Sequence, residues 1–111
     1  MIEVTDQVLR DMVKAIVEEV APERIILFGS RARGQAPPDS DVDLVIIEKE
    51  PFGPLRSRRQ EIARIRRALH PFRIPKDILV FSQDELDKWR HAINHVLYDA
   101  VHEGKHLYER S

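Results

Sequence analysis

Gly29-Ser30-Arg31-Ala32-Arg33-Gly34, the connector Gln35-Ala36-Pro37-Pro38-Asp39-Ser40, and then Asp41-Val42-Asp43-Leu44 form the stretch that decides the reading of this chain. On its N-terminal side, Arg24-Ile25-Ile26-Leu27-Phe28 is a short, partly β-branched apolar run stopped by Gly29, which predicts a buried strand feeding a loop. On its C-terminal side a second strand runs from Asp41 to about Ile47. Side chains alternate across a strand, so Asp41, Asp43, Val45 and Ile47 share one face, and Val42, Leu44 and Ile46 the other.

The loop and the carboxylates are chemically complementary. Gly29 permits close backbone approach, Ser30 offers a hydroxyl and an N–H, and Arg31 and Arg33 carry charge suited to phosphates. Aspartates two residues apart on one strand face sit about 6.6 Å apart at the backbone. Their mutual repulsion is about 2.5 kcal/mol at an effective dielectric near 20 and about 0.6 kcal/mol in bulk water. Such a pair is either well solvated or bridged by a cation. Asp77 opens a third apolar run, Asp77-Ile78-Leu79-Val80-Phe81, and three carboxylates from two strands suit Mg²⁺, a hard ion that takes oxygen ligands. The combination reads as a nucleotide site.

Three other motifs compete and fail. A Walker A loop requires Lys after its second glycine, and Gln35 follows Gly34. In haloacid-dehalogenase-type phosphatases the apolar strand precedes the aspartates, whereas here the apolar run follows them. Glycosyltransferases with a DxD motif have much larger catalytic domains than this chain.

The rest of the chain supplies a frame. Val8, Leu9, Met12, Val13, Ile16, Val17 and Val20 fall at helical spacing, with Thr5 or Asp6 as N-cap and Pro22 as terminator. Leu55, Ile62, Ile65 and Leu69 give an apolar stripe on an arginine-rich helix that ends near Pro71. Ser82-Gln83-Asp84-Glu85 has the form of a capping box, so a helix starts directly after the third strand. A last helix carries Trp89, Ile93, Val96, Leu97 and Ala100 on one face and ends at Gly104. Leu107 and Tyr108 are expected to form a tail that packs back. The expected order is α, β, β, α, β, α, α.

With 111 residues the chain has room for one domain, 1–111, that buries roughly 65% of the surface its unfolded chain exposes. Lys plus Arg (18) nearly cancel Asp plus Glu (19), and a net charge of −1 argues against a nucleic acid as a direct ligand. No cysteine is present, which excludes disulfide scaffolds, thiolate metal sites and Cys nucleophiles. No leader-like segment and no apolar run of about 18 residues occurs, so the expectation is a cytoplasmic protein with no membrane association.

The Gly29–Gly34 loop followed by Ser40-Asp41-Val42-Asp43-Leu44 resembles the signature of the polymerase-beta-like nucleotidyltransferase superfamily. The small size and the ending Tyr98-Asp99-Ala100-Val101-His102-Glu103-Gly104-Lys105-His106-Leu107-Tyr108-Glu109 are similar to its minimal nucleotidyltransferases, the MNT antitoxins encoded beside HEPN-domain proteins. The resemblance implies an α+β fold, an α/β sandwich whose small mixed sheet carries packed helices. It implies that Gly29, Ser30, Arg31, Arg33 and Ser40 bind the nucleotide, while Asp41, Asp43 and Asp77 are catalytic and hold Mg²⁺, two ions in all. The implied reaction transfers NMP, AMP from ATP, to a protein acceptor, a tyrosine of a HEPN-type toxin. A short chain leaves the acceptor site to another molecule, within a homo- or hetero-oligomer. Two alternatives stay open: a non-catalytic antitoxin that masks its partner, and transfer to a small molecule such as an antibiotic.

Outside the motif, the helix with Arg56, Arg58, Arg59, Arg64, Arg66 and Arg67 reads as a solvated face ahead of a nucleic-acid surface. His91, His95 and His102 are expected on one side of the last helix. His91 and His95 have zinc-pair spacing, but position 92 is Ala where the motif needs Glu. Trp89 is expected to anchor the core.

Overall fold

The computed structural model describes residues 4–34 and 40–111. The connector Pro37-Pro38-Asp39 lies outside the described residues. Among those described, helix α1 (Asp6–Val20) leads into strands β1 (Arg24–Phe28) and β2 (Val42–Glu48), then helix α2 (Arg58–Ala68) and strand β3 (Lys76–Ser82). Helices α3 (Gln83–Trp89) and α4 (Val96–Glu103) and strand β4 (Lys105–Glu109) complete it. The sheet order is β3-β2-β1-β4. β2 and β3 are parallel and the β1 pairings with β2 and β4 are antiparallel, giving the mixed α+β architecture expected.

Both faces of the sheet are covered, which is why β1 and β2 read as nearly unbroken apolar runs. Ile25, Leu27, Val42, Leu44, Ile46, Ile78 and Val80 pack with α1 and α2 through Leu9, Met12, Ile16, Ile65 and Leu69. Ile26, Val45 and Ile47 pack on the other side with Leu86 of α3 and Leu97 and Ala100 of α4. The helix starts are local. Thr5 accepts from the Val8 N–H, and Ser57 from that of Gln60. The Ser82–Glu85 capping box is present.

Arginines tie the layers together. Arg56 bonds to Glu48 of β2 (2.6 Å), and Arg64 reaches Glu61 (3.1 Å) and Glu19 of α1 (3.2 Å). Arg58 makes two bonds to Glu85 (2.9 and 2.6 Å) and one to the Val80 carbonyl (2.7 Å). Half of the arginine-rich segment thus has internal partners.

The tail packs back as expected, but as strand β4, paired with β1 through an irregularity between Ile25 and Ile26 that leaves Leu107 as the extra residue; four other expectations are corrected. The bulge puts the adjacent Leu107 and Tyr108 against the same core cluster, a pattern without strand alternation. Leu55 lies before α2, fully exposed, in the turn closed by a Gly53–Arg56 bridge. The last helix begins only at Val96, because His95 Nδ1 accepts from the Leu97 N–H as its N-cap (3.0 Å). Residues 90–95 are therefore a connector: Ile93 is 71% exposed, and Trp89 lies flat on His95 at 5.0 Å rather than in the core. The three histidines share no helix face; His102 stacks on Tyr98. Among the described residues no helix is long and apolar enough to cross a membrane.

Candidate active site

The end of β1 delivers the chain to Gly29 at φ +77°, a conformation that disfavours a side chain. A Cβ there would lie 2.5 Å from Asp43 Oδ2, so the residue must be glycine for room as well as for backbone. The loop turns back at Gly34 (φ +71°), whose N–H donates to the Arg31 carbonyl at 3.2 Å. Arg31 then donates from Nη2 to the Ser40 carbonyl (2.6 Å), tying the loop to the residue that precedes the aspartates.

The parallel ladder begins where the Val42 N–H donates to the Pro75 carbonyl (2.9 Å). One residue on, Asp43 stands opposite Asp77 of β3 and, on its other side, opposite Phe28 of β1. Asp43 is half-buried; Asp41 and Asp77 are exposed. Burial pushes the Asp43 carboxyl above its ordinary pKa, and the charges of Asp77 and Asp41 push it further, against the opposing pull of Arg31. Gly29, Arg31, Ser40, Asp41, Asp43 and Asp77 thus gather at one end of the sheet. Ser30 is half-buried in the same loop.

Arg33 lies on the loop's other side. With Phe28 and Gly29 it lines a cavity of about 360 Å³ whose far wall is Asn94, Asp99 and Glu103. Sequence reasoning missed those three residues, because the connector and α4 carry no motif that would place them against the loop.

The site offers oxygen donors only, with an excess of negative charge that already bears on Asp43. That set fits a hard divalent cation in kind and in charge. Among the described residues no three acidic or histidine side chains converge as a metal-holding group.

The family model for the nucleotidyltransferase domain matches residues 9–102. No curated protein matches the chain significantly. Solved structures share the fold. One is a protein from Sulfolobus solfataricus assigned as a nucleotidyltransferase (22% identity, TM-score 0.58, 96% of this chain and 91% of that one). A second is a toxin–antitoxin structure with AMP-PNP (20% identity, TM-score 0.57, covering 92% and 73%). A third is a toxin–antitoxin pair, MntA and HpeT, with two Asp-to-Glu substitutions two positions apart (15% identity, TM-score 0.53, covering 92% and 73%). Loop, paired aspartates and family match span the same stretch of sequence, and the chain belongs to the nucleotidyltransferase domain family.

Proposed function

We propose that the chain transfers AMP from ATP to a tyrosine of a HEPN-type toxin and so acts as the antitoxin of that pair. The observation that carries the reading is the pairing of Asp43 with Asp77 in register across β2 and β3, with Gly29 backed against Asp43. The similarity to a toxin–antitoxin structure with AMP-PNP supports it.

In this reading the Gly29–Ser30 backbone and the Ser30 hydroxyl receive the triphosphate, and Arg31, Arg33 and Ser40 complete the nucleotide site. The acceptor oxygen bonds to the α-phosphorus as the bond to pyrophosphate breaks, and Asp77 takes the hydroxyl proton. Two Mg²⁺ ions, held by Asp41, Asp43 and Asp77, would supply Lewis-acid neutralisation of the charge that develops on the phosphates.

The test is to look for a HEPN-type reading frame beside this one and to incubate its product with the chain, α-labelled ATP and Mg²⁺. Label is expected on the partner, at a level that falls at least about a hundredfold with Asp41→Asn and Asp43→Asn together. If that double variant protects cells as well as the parent does, the chain works by masking. Label on an aminoglycoside with no partner present points to small-molecule transfer instead.

A further inference from the structure

We propose that the cavity between the end of α2 and the start of β3 is a second anion site, taking the phosphate groups of an RNA strand or of a free oligophosphate. Its volume is about 370 Å³, within the range of small-ligand sites, and it is lined by Arg66, His70, Phe72, Arg73, Pro75 and Lys76 among others. Three permanent cations and a histidine face one space with no acidic residue in the lining.

The contrast with the rest of the arginine-rich segment argues for a ligand. Arg56, Arg58 and Arg64 are each committed to a carboxylate. Arg66, Arg73 and Lys76 make no ion pair among the described residues, and the Lys76 ammonium is held over the cavity by a bond to the Phe72 carbonyl (3.0 Å). Like charges left together without a counter-charge repel, and a bound phosphate removes that cost. Half-buried Phe72, packed on the core beneath, adds an apolar wall to the cavity. The chain's net charge of −1 excludes wholesale coating by nucleic acid but leaves this local concentration intact. Lys76 adjoins Asp77 on β3, and the two side chains leave opposite faces of the strand, so the cavity and the candidate active site lie at the same end of the sheet.

The test uses fluorescence anisotropy of a labelled ten-nucleotide oligo(A) RNA, with inorganic tripolyphosphate as competitor. Binding is expected to weaken with salt and to fall at least about tenfold in Arg66→Glu/Arg73→Glu, whose substituted side chains are exposed. Arg59→Glu, on α2 outside the cavity, should bind like the parent, and Asp41→Asn/Asp43→Asn, which removes only negative charge, should bind at least as tightly; that outcome makes this site independent of the proposed transfer. Should the charge-reversed protein lose its circular-dichroism signal, Arg66→Gln/Arg73→Gln replaces it, with a loss of at least about threefold expected. Tripolyphosphate that binds, read by amide NMR shifts at residues 66–76, while RNA does not identifies the free anion as the ligand. Competition between the two identifies the shared phosphate chemistry. Absence of binding by either probe, or an equal loss in Arg59→Glu, overturns the site.

Discussion

At the scale of single residues, two positions carry sharp consequences. Gly29→Ala puts a methyl on a left-handed backbone and into the space of Asp43 Oδ2. We expect about 1 kcal/mol of lost stability from the backbone and, from the displaced carboxylate, at least about a tenfold fall in transfer. Labelling assays beside urea unfolding check this; transfer equal to the parent's would remove Gly29 from the site. Glu48 is the second position. It is buried, and its pKa is pushed up to about 7, first by burial and then by its hydrogen bond to Glu61 and that group's charge, against the pull of Arg56. Between the ordinary carboxylate value and about 7 the folded chain holds a proton that the unfolded chain has lost. This contribution is therefore fully present at low pH and is lost as pH rises, at up to about 1.4 kcal/mol per unit, with no further change above about 7. Urea unfolding from about pH 5 to about pH 8 should show that decline, and Glu48→Gln should flatten it. Gly29 and Asp43 were legible because glycine chemistry and strand alternation are local. The Glu48–Glu61 pair was not, because it exists only once α2 lies over β2.

At the scale of elements, the junction from β3 to α3 concentrates several small terms on one side chain. Glu85 accepts from the Ser82 N–H (2.9 Å), completes the capping box and receives both bonds from Arg58. Those contacts hold its pKa below the ordinary value, the Arg58 bond first. Replacing Glu85 by Ala removes the reciprocal half of the capping box and leaves Arg58, which reaches across from α2, with the Val80 carbonyl and the Phe52 and Phe81 rings. We expect a loss of about 2 kcal/mol, read as a lower urea midpoint with an unchanged slope. Glu85→Gln should recover part of it, since an amide oxygen still accepts from Ser82. The box was readable as Ser82-x-x-Glu85 because its partners are three residues apart. The break over residues 90–95 was not. Trp89, Ile93, Val96 and Ala100 keep helical spacing across it, and only the His95 side chain turning onto the Leu97 N–H ends the pattern.

At the scale of the whole molecule, the order β3-β2-β1-β4 makes β4 the strand that covers the outer edge of β1. Its apolar content is small, only Leu107 and Tyr108, and they are neighbours rather than alternate residues; this is why period-two reasoning passed over it. Pairing with β1 compensates: the bulge turns both side chains into the core beneath α1 and the ladder uses backbone groups. Gly104 makes the approach possible, since a Cβ there would collide with the Ala100 carbonyl and stand 2.6 Å from Ile26 Cγ2. A chain ending at Gly104 would leave the β1 edge as a row of unpaired N–H and C=O groups beside uncovered apolar surface, a template for pairing with another copy. We therefore expect the truncated chain to melt at a lower temperature and to associate as its concentration rises, by light scattering, while the full chain at the same concentration does not. Gly104→Val, which keeps β4 but wedges it away, should lose about 1–3 kcal/mol. A truncated chain that melts with the parent and stays at the parent's mass would show that β4 decorates the sheet rather than closing it.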